Sequence, residues 1–129
     1  MRILAEKVKA DKKLVVATSM QLSDVEARDF WPVYDAYQKD LLLINRRRGA
    51  VIVAYADSIK KDSLTDKQAK KMLAELLAAE EAEVKLQKSY ATKLEKVLPG
   101  KKIARYIQIE NKIRALVQYE LAAGIPLVK

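Results

Sequence analysis

Leu64-Thr65-Asp66-Lys67-Gln68 divides the chain into two helical halves. Thr65 can accept from the backbone N–H of Gln68 while the Gln68 side chain reaches back to the N–H of Thr65, the reciprocal pairing of a capping box. Leu64 and Ala69 flank it as a hydrophobic staple. Upstream, Phe30, Tyr34, Tyr37, Leu41, Ile44, Val51, Tyr55 and Ile59 recur at spacings of three and four, with one longer step across Arg48. Downstream, Met72, Leu76, Ala79, Leu86, Tyr90, Leu94 and Val97 repeat the pattern, interrupted at Glu83. Such stripes mark helices that bury one face. They predict an all-α fold built on a long antiparallel hairpin, with helices over 24–62 and 66–97.

Leu22-Ser23-Asp24-Val25-Glu26 repeats the hinge grammar, with Ser23 as cap and Glu26 as its partner. Pro32 falls inside the helix that follows and removes the bond to the Arg28 carbonyl, so a bend is expected there. Pro99 is suited to the first position of a further helix over 100–122, lined by Ile103, Tyr106, Ile107, Ile113, Val117 and Leu121. Gly124 and Pro126 end it. The apolar tail Ile125-Pro126-Leu127-Val128 is expected to lie on the protein, because burial favours apolar groups. A short N-terminal helix over 2–18 carries a thin stripe of Leu4, Val8 and Val15. The whole of residues 1–129 reads as a single helical domain with a third helix packed on the hairpin.

Three glycines, three prolines and half the residues hydrophobic exclude a disordered chain and disfavour a β-rich one. The absence of Cys and His removes thiol chemistry, histidine bases and Cys- or His-ligated zinc. No cofactor and no metal is expected, and no residue set for nucleophilic catalysis emerges, so an enzyme is not expected. No apolar run is long enough to span a bilayer. The formal charge of +8 sits at the ends: five basic against two acidic groups in residues 1–22, and six against two in residues 100–129. Such ends could meet an anionic partner such as nucleic acid, although solubilising charge on helix faces is the plainer explanation.

The hairpin register makes one further prediction. A turn at residue 65 sets Tyr55 opposite Leu76, Leu41 opposite Tyr90 and Tyr37 opposite Leu94. The two interruptions, Arg48 and Glu83, then fall opposite each other. A buried arginine needs a carboxylate. The turn near Pro99 brings Arg114, and one turn away Glu110, to the same level. A structural polar layer of Arg48, Glu83, Glu110 and Arg114 is therefore expected, with Asn45 and Gln87 as further candidates. Such a layer fixes register rather than performing chemistry. Trp31, Leu42, Ile52 and Leu77 lie off the stripes and must meet a third helix, a second subunit or a client; they are the expected surface for a client or partner.

The five hinge residues fit the LTxxQ signature, and the chain resembles the Spy/CpxP-like periplasmic helical proteins of proteobacteria. Leu22-Ser23-Asp24-Val25-Glu26 with Phe30-Trp31-Pro32-Val33-Tyr34 looks like a degenerate first copy of the motif, ending in Glu rather than Gln. Leu98-Pro99 through Ala104-Arg105-Tyr106 and Gln108-Ile109-Glu110 is similar to the segment that opens the last helix of related small periplasmic proteins. The resemblance covers roughly residues 20–120. It implies a helical hairpin, often a cradle-shaped homodimer, and envelope-stress sensing or ATP-independent chaperone activity on unfolded-protein clients or envelope partners. It also implies a periplasmic location, with a signal peptide expected upstream of Met1. The zinc binding of some relatives is not expected without His and Cys. The competing expectation is a basic helical nucleic-acid-binding or regulatory protein.

Overall fold

The computed structural model describes residues 2–129, with side chains described from residue 10 onward. Four helices follow one another: α1 (Arg2–Met20), α2 (Asp24–Lys60), α3 (Asp66–Leu94) and α4 (Gly100–Gly124). The described residues hold no strand, and the fold is all-α. α2 packs along α3 as an antiparallel hairpin, α4 returns along α3, and α1 packs on α4.

Both capping boxes form. Thr65 Oγ1 accepts from Gln68 N at 3.1 Å, and Gln68 Oε1 accepts from Thr65 N at 3.0 Å. Ser23 and Glu26 make the same pair at 3.2 and 2.9 Å. The stop before the hinge is a second device. Asp62 N donates to Ile59 O and Ser63 N donates to Ser58 O. Asp62 sits in the left-handed region, with φ of 50°. These bonds form a Schellman motif, with an aspartate where glycine is commonest. Between the caps α2 runs 37 residues, continuing through Pro32 as one helix. At 1.5 Å per residue it is about 55 Å long.

The boundaries differ from expectation in small ways. α3 ends at Leu94, where Leu98 N and Val97 N both turn back onto the Leu94 carbonyl. Pro99 is the cap of α4 rather than its first residue; its ring has no acceptor, so no side chain caps that end.

The main core gathers at the end of the hairpin away from the hinge. Val16, Met20, Phe30, Tyr34, Leu94, Leu98 and Tyr106 bury together there, one or more from every helix. Phe30 meets Tyr106 edge-on at 5.1 Å between ring centres, and Tyr37 meets Tyr90 at 5.0 Å. Edge-to-face contacts suit the charge distribution of aromatic rings. Tyr37, expected opposite Leu94, turns its ring one turn along α3 to meet Tyr90 edge-on.

α1 docks with Val16 and Met20, while Val15, placed on the stripe by its spacing, is exposed. The side chains of the expected stripe positions Leu4 and Val8 lie outside those described. The tail also departs from expectation. Tyr55 donates its hydroxyl proton to the Pro126 carbonyl at 2.5 Å, but Leu127 is 90 % exposed. The tail is held through a polar backbone contact; Ile125 is half-buried, while Leu127 and Val128 stay outside.

Candidate functional site

Two polar clusters, a groove and exposed apolar side chains are the features that could carry function. Glu83 is the centre of the first cluster. The α3 stripe turns it inward, and its side chain is 3 % exposed. Arg48 Nη1 from α2 donates to Glu83 Oε1 at 3.0 Å, and Arg114 Nη1 from α4 donates to Oε2. Arg48 also reaches Glu80 through Nη2 at 3.0 Å and Asn45 Oδ1 through Nη1 at 3.2 Å. Its Nε is buried without a partner. Burial raises the Glu83 pKa, but hydrogen bonds and charge from the two guanidiniums outweigh it, and the carboxyl is held below its usual range. Arg48 is likewise held charged: burial works against it, and Glu83 and Glu80 prevail. A carboxylate with both oxygens taken by guanidiniums is a poor proton acceptor, and the arrangement ties three helices together.

Glu110 does not join this layer. It faces α1 instead, where Lys12 Nζ lies 2.6 Å from Oε1. Gln38 Nε2 and the Tyr106 hydroxyl both donate to Oε2, at 2.8 and 2.7 Å. Lys12 Nζ also donates to Gln38 Oε1 at 2.8 Å. Glu110 lies one helical turn before Arg114 and takes the nearest cation available at its own level. A lysine on α1 was the missing partner. Gln87, a candidate for the first layer, donates to Asn111 Oδ1 at 2.8 Å, linking α3 to α4 between the two clusters. Burial, with the Glu110 charge beside it, pushes the Tyr106 hydroxyl pKa far up. Tyr90 is pushed to about 12, by burial and by its hydrogen bond to Asp40.

Among the described residues no group of three or more acidic side chains is placed to hold a metal ion. Among the described residues no helix is long and apolar enough to cross a membrane.

The expected client residues are mostly not on the surface. Trp31 packs against the core, edge-on to Phe30 and Tyr34, with Lys13 Nζ over its ring at 5.1 Å. Leu42 and Ile52 are half-buried. Only Leu77 is open, at 59 %. On α2 the large exposed apolar residues are Val25 and, each one position beyond Leu42 and Ile52, Leu43 and Val53. A residue is a rotation of about 100° on a helix, which is enough to move a side chain from seam to solvent.

A groove of about 500 Å³ lies between α2 and α3. Ala50, Val51, Ala54 and Met72 line it, flanked by Arg47, Lys71 and Glu75. The small side chains of Ala50 and Ala54 leave the space between the helices open. Large apolar side chains are also exposed on α3, at Leu73, Leu77 and Val84, and on α4, at Leu116, Val117, Tyr119 and Leu121. Val117 and Leu121 were expected to pack on the hairpin, yet residues 115–124 are exposed throughout.

Basic side chains at the chain ends are partly committed. Lys102 pairs with Glu26 at 2.5 Å, and Arg105 Nε donates to the Ser19 carbonyl at 2.6 Å. No protein-family model matches the chain, and no curated protein or solved structure is significantly similar to it.

Proposed function

We infer that this chain is a non-enzymatic helical binding protein that holds extended apolar segments of unfolded client proteins. It acts without ATP, in the periplasm, and as a homodimer. The observation that carries the reading is the groove lined by Ala50, Val51, Ala54 and Met72 between α2 and α3. It offers apolar surface along two helices with charged groups at its rim, a chemistry that accepts many sequences and fixes none. The fit of Leu64-Thr65-Asp66-Lys67-Gln68 to the LTxxQ signature supports the periplasmic and stress-related part of the reading.

The test is aggregation of an unfolding model protein, followed by light scattering with this chain at substoichiometric amounts. Suppression without ATP is expected. The rival reading, a nucleic-acid-binding protein, draws on the basic chain ends. Engagement of Lys102, Arg105 and Arg114 by protein acceptors weighs against it. It would be favoured instead by DNA binding whose affinity falls steeply with salt, together with no suppression of aggregation.

A further inference from the structure

Residues 115–128, Ala-Leu-Val-Gln-Tyr-Glu-Leu-Ala-Ala-Gly-Ile-Pro-Leu-Val, contain one charged side chain, Glu120. A surface helix normally sets a polar face against an apolar one, and a helix apolar on most sides is buried in its native assembly. Here Leu116 is 70 % and Tyr119 77 % exposed, and Val117 and Leu121 are exposed too. α4 is anchored at Arg114 by Glu83 and again at Pro126 by Tyr55, with nothing covering the ten residues 115–124.

The same chain carries a matching surface that this arm does not reach. Leu73, Leu77 and Val84 stand on one face of α3, at steps of four and seven, and all are exposed. Exposed Lys70 shares that face and supplies the charge opposite to Glu120.

The area left open is large enough to need a partner. The chain exposes 9527 Å². A folded monomer of 14.6 kDa would expose about 6,900 Å². The difference, roughly 2,600 Å² per chain, exceeds the 1,600 Å² or so that a standard interface buries over both partners.

We propose that two copies exchange their α4 arms, residues 115–124 of each covering Leu73, Leu77 and Val84 of the other. The exchange is reciprocal, so it obeys two-fold symmetry and closes at a dimer. It leaves the α2–α3 groove free, because Leu73 and Leu77 each lie two residues, or about 200° of rotation, beyond groove-lining Lys71 and Glu75. The proposal rests on the reading of the protein as a homodimeric binding protein, and it names the surface by which the dimer forms.

Analytical ultracentrifugation of the full chain should show a species of twice the monomer mass. Leu116→Lys with Leu121→Lys, and separately Leu77→Lys, should each weaken it by at least about tenfold, the effect of removing a central interface anchor. Circular dichroism should be unchanged, since all three residues are exposed in the single chain. The absence of cysteine allows a second test. Leu77→Cys and Leu121→Cys proteins, mixed, should form a disulfide-linked heterodimer under mild oxidation. A monomer by ultracentrifugation overturns the proposal, including one whose arm carries it onto lipid vesicles. So does a dimer indifferent to these substitutions, which would form by another face. A Leu77→Cys, Leu121→Cys double variant that links only within one chain also overturns it, by showing the arm closed on its own α3. Aggregation suppression by the Leu116→Lys, Leu121→Lys protein is measured separately, so loss of the dimer and failure of the client-binding reading are told apart.

Discussion

Arg48 Nη1 lies 3.0 Å from Glu83 Oε1, joining the single charged interruptions of two otherwise apolar helix stripes. Arg114 takes the other Glu83 oxygen. Removing one member of such a pair leaves the remaining charges buried without compensation, at a cost of roughly 3–5 kcal/mol when burial is deep. Arg48 and Arg114 keep 13 % and 33 % exposure, which places the expected cost at the lower end of that range. Glu83→Ala should therefore lower the urea midpoint strongly. Exposed Glu95→Ala should stay within about 0.5 kcal/mol of the parent. Equal shifts for the two would contradict the burial.

The same contact sets the acid limb of stability. The folded-state pKa of Glu83 is depressed, so its contribution is full above the unfolded value of about 4.3. It is lost as pH falls through the lower, folded value. Glu83→Gln should flatten the loss of stability below that pH; an unchanged acid limb would assign the loss to other carboxyls.

The alkaline limb has the opposite origin. Burial raises the pKa of Tyr34, Tyr37, Tyr90 and Tyr106 in the fold. A raised tyrosine pKa means that the folded state keeps protons the unfolded state gives up. Stability should hold below about pH 10 and decline above it. Ultraviolet difference titration should show most tyrosinate appearing only as the helices melt. Free ionisation in the intact fold would count against the buried aromatic block.

Asp62, at φ of 50°, occupies a conformation that glycine adopts without penalty. Asp62→Gly should raise stability by about 0.5–1 kcal/mol, part of the relieved strain being offset by a more flexible unfolded chain. A lower melting temperature would show that the aspartate side chain contributes something the backbone geometry does not.

Docking of α1 depends on Met20, which is 1 % exposed, and on Lys12 at Glu110. Met20→Ala should cost roughly 2–5 kcal/mol, the usual effect of emptying a core methionine site. Val15→Ala, on the exposed face, should be nearly neutral. The reverse ranking would mean that α1 packs one residue out of the register described.

The hinge, both capping boxes, the hairpin and the pairing of Arg48 with Glu83 were legible in the sequence, because each rests on local periodicity or on a cap of fixed spacing. Other features depended on the direction of a neighbouring helix. Glu110 turned to Lys12 because α1 lies along α4, and the thin stripe of α1 concealed that packing. The Schellman motif at Asp62 carried no glycine to announce it. The surface residues were displaced by one position on α2, from Leu42 and Ile52 to Leu43 and Val53, since a stripe shows which face is buried more sharply than where its edge falls. The open arm at 115–124 had a signal, one charge in fourteen residues, that the periodicity of Val117 and Leu121 disguised as an ordinary packed face.

The proposed function requires that the α2–α3 groove bind unfolded chains. Suppression of aggregation is best compared between the unmodified protein and an Ala50→Lys, Ala54→Lys variant, which fills the groove with charge, with helicity and sedimentation checked in both. Both residues are exposed, so fold and dimer should be unaffected. The account predicts substoichiometric suppression by the unmodified protein and its loss in the variant. Equal suppression by both proteins, or none by the unmodified one, would contradict it.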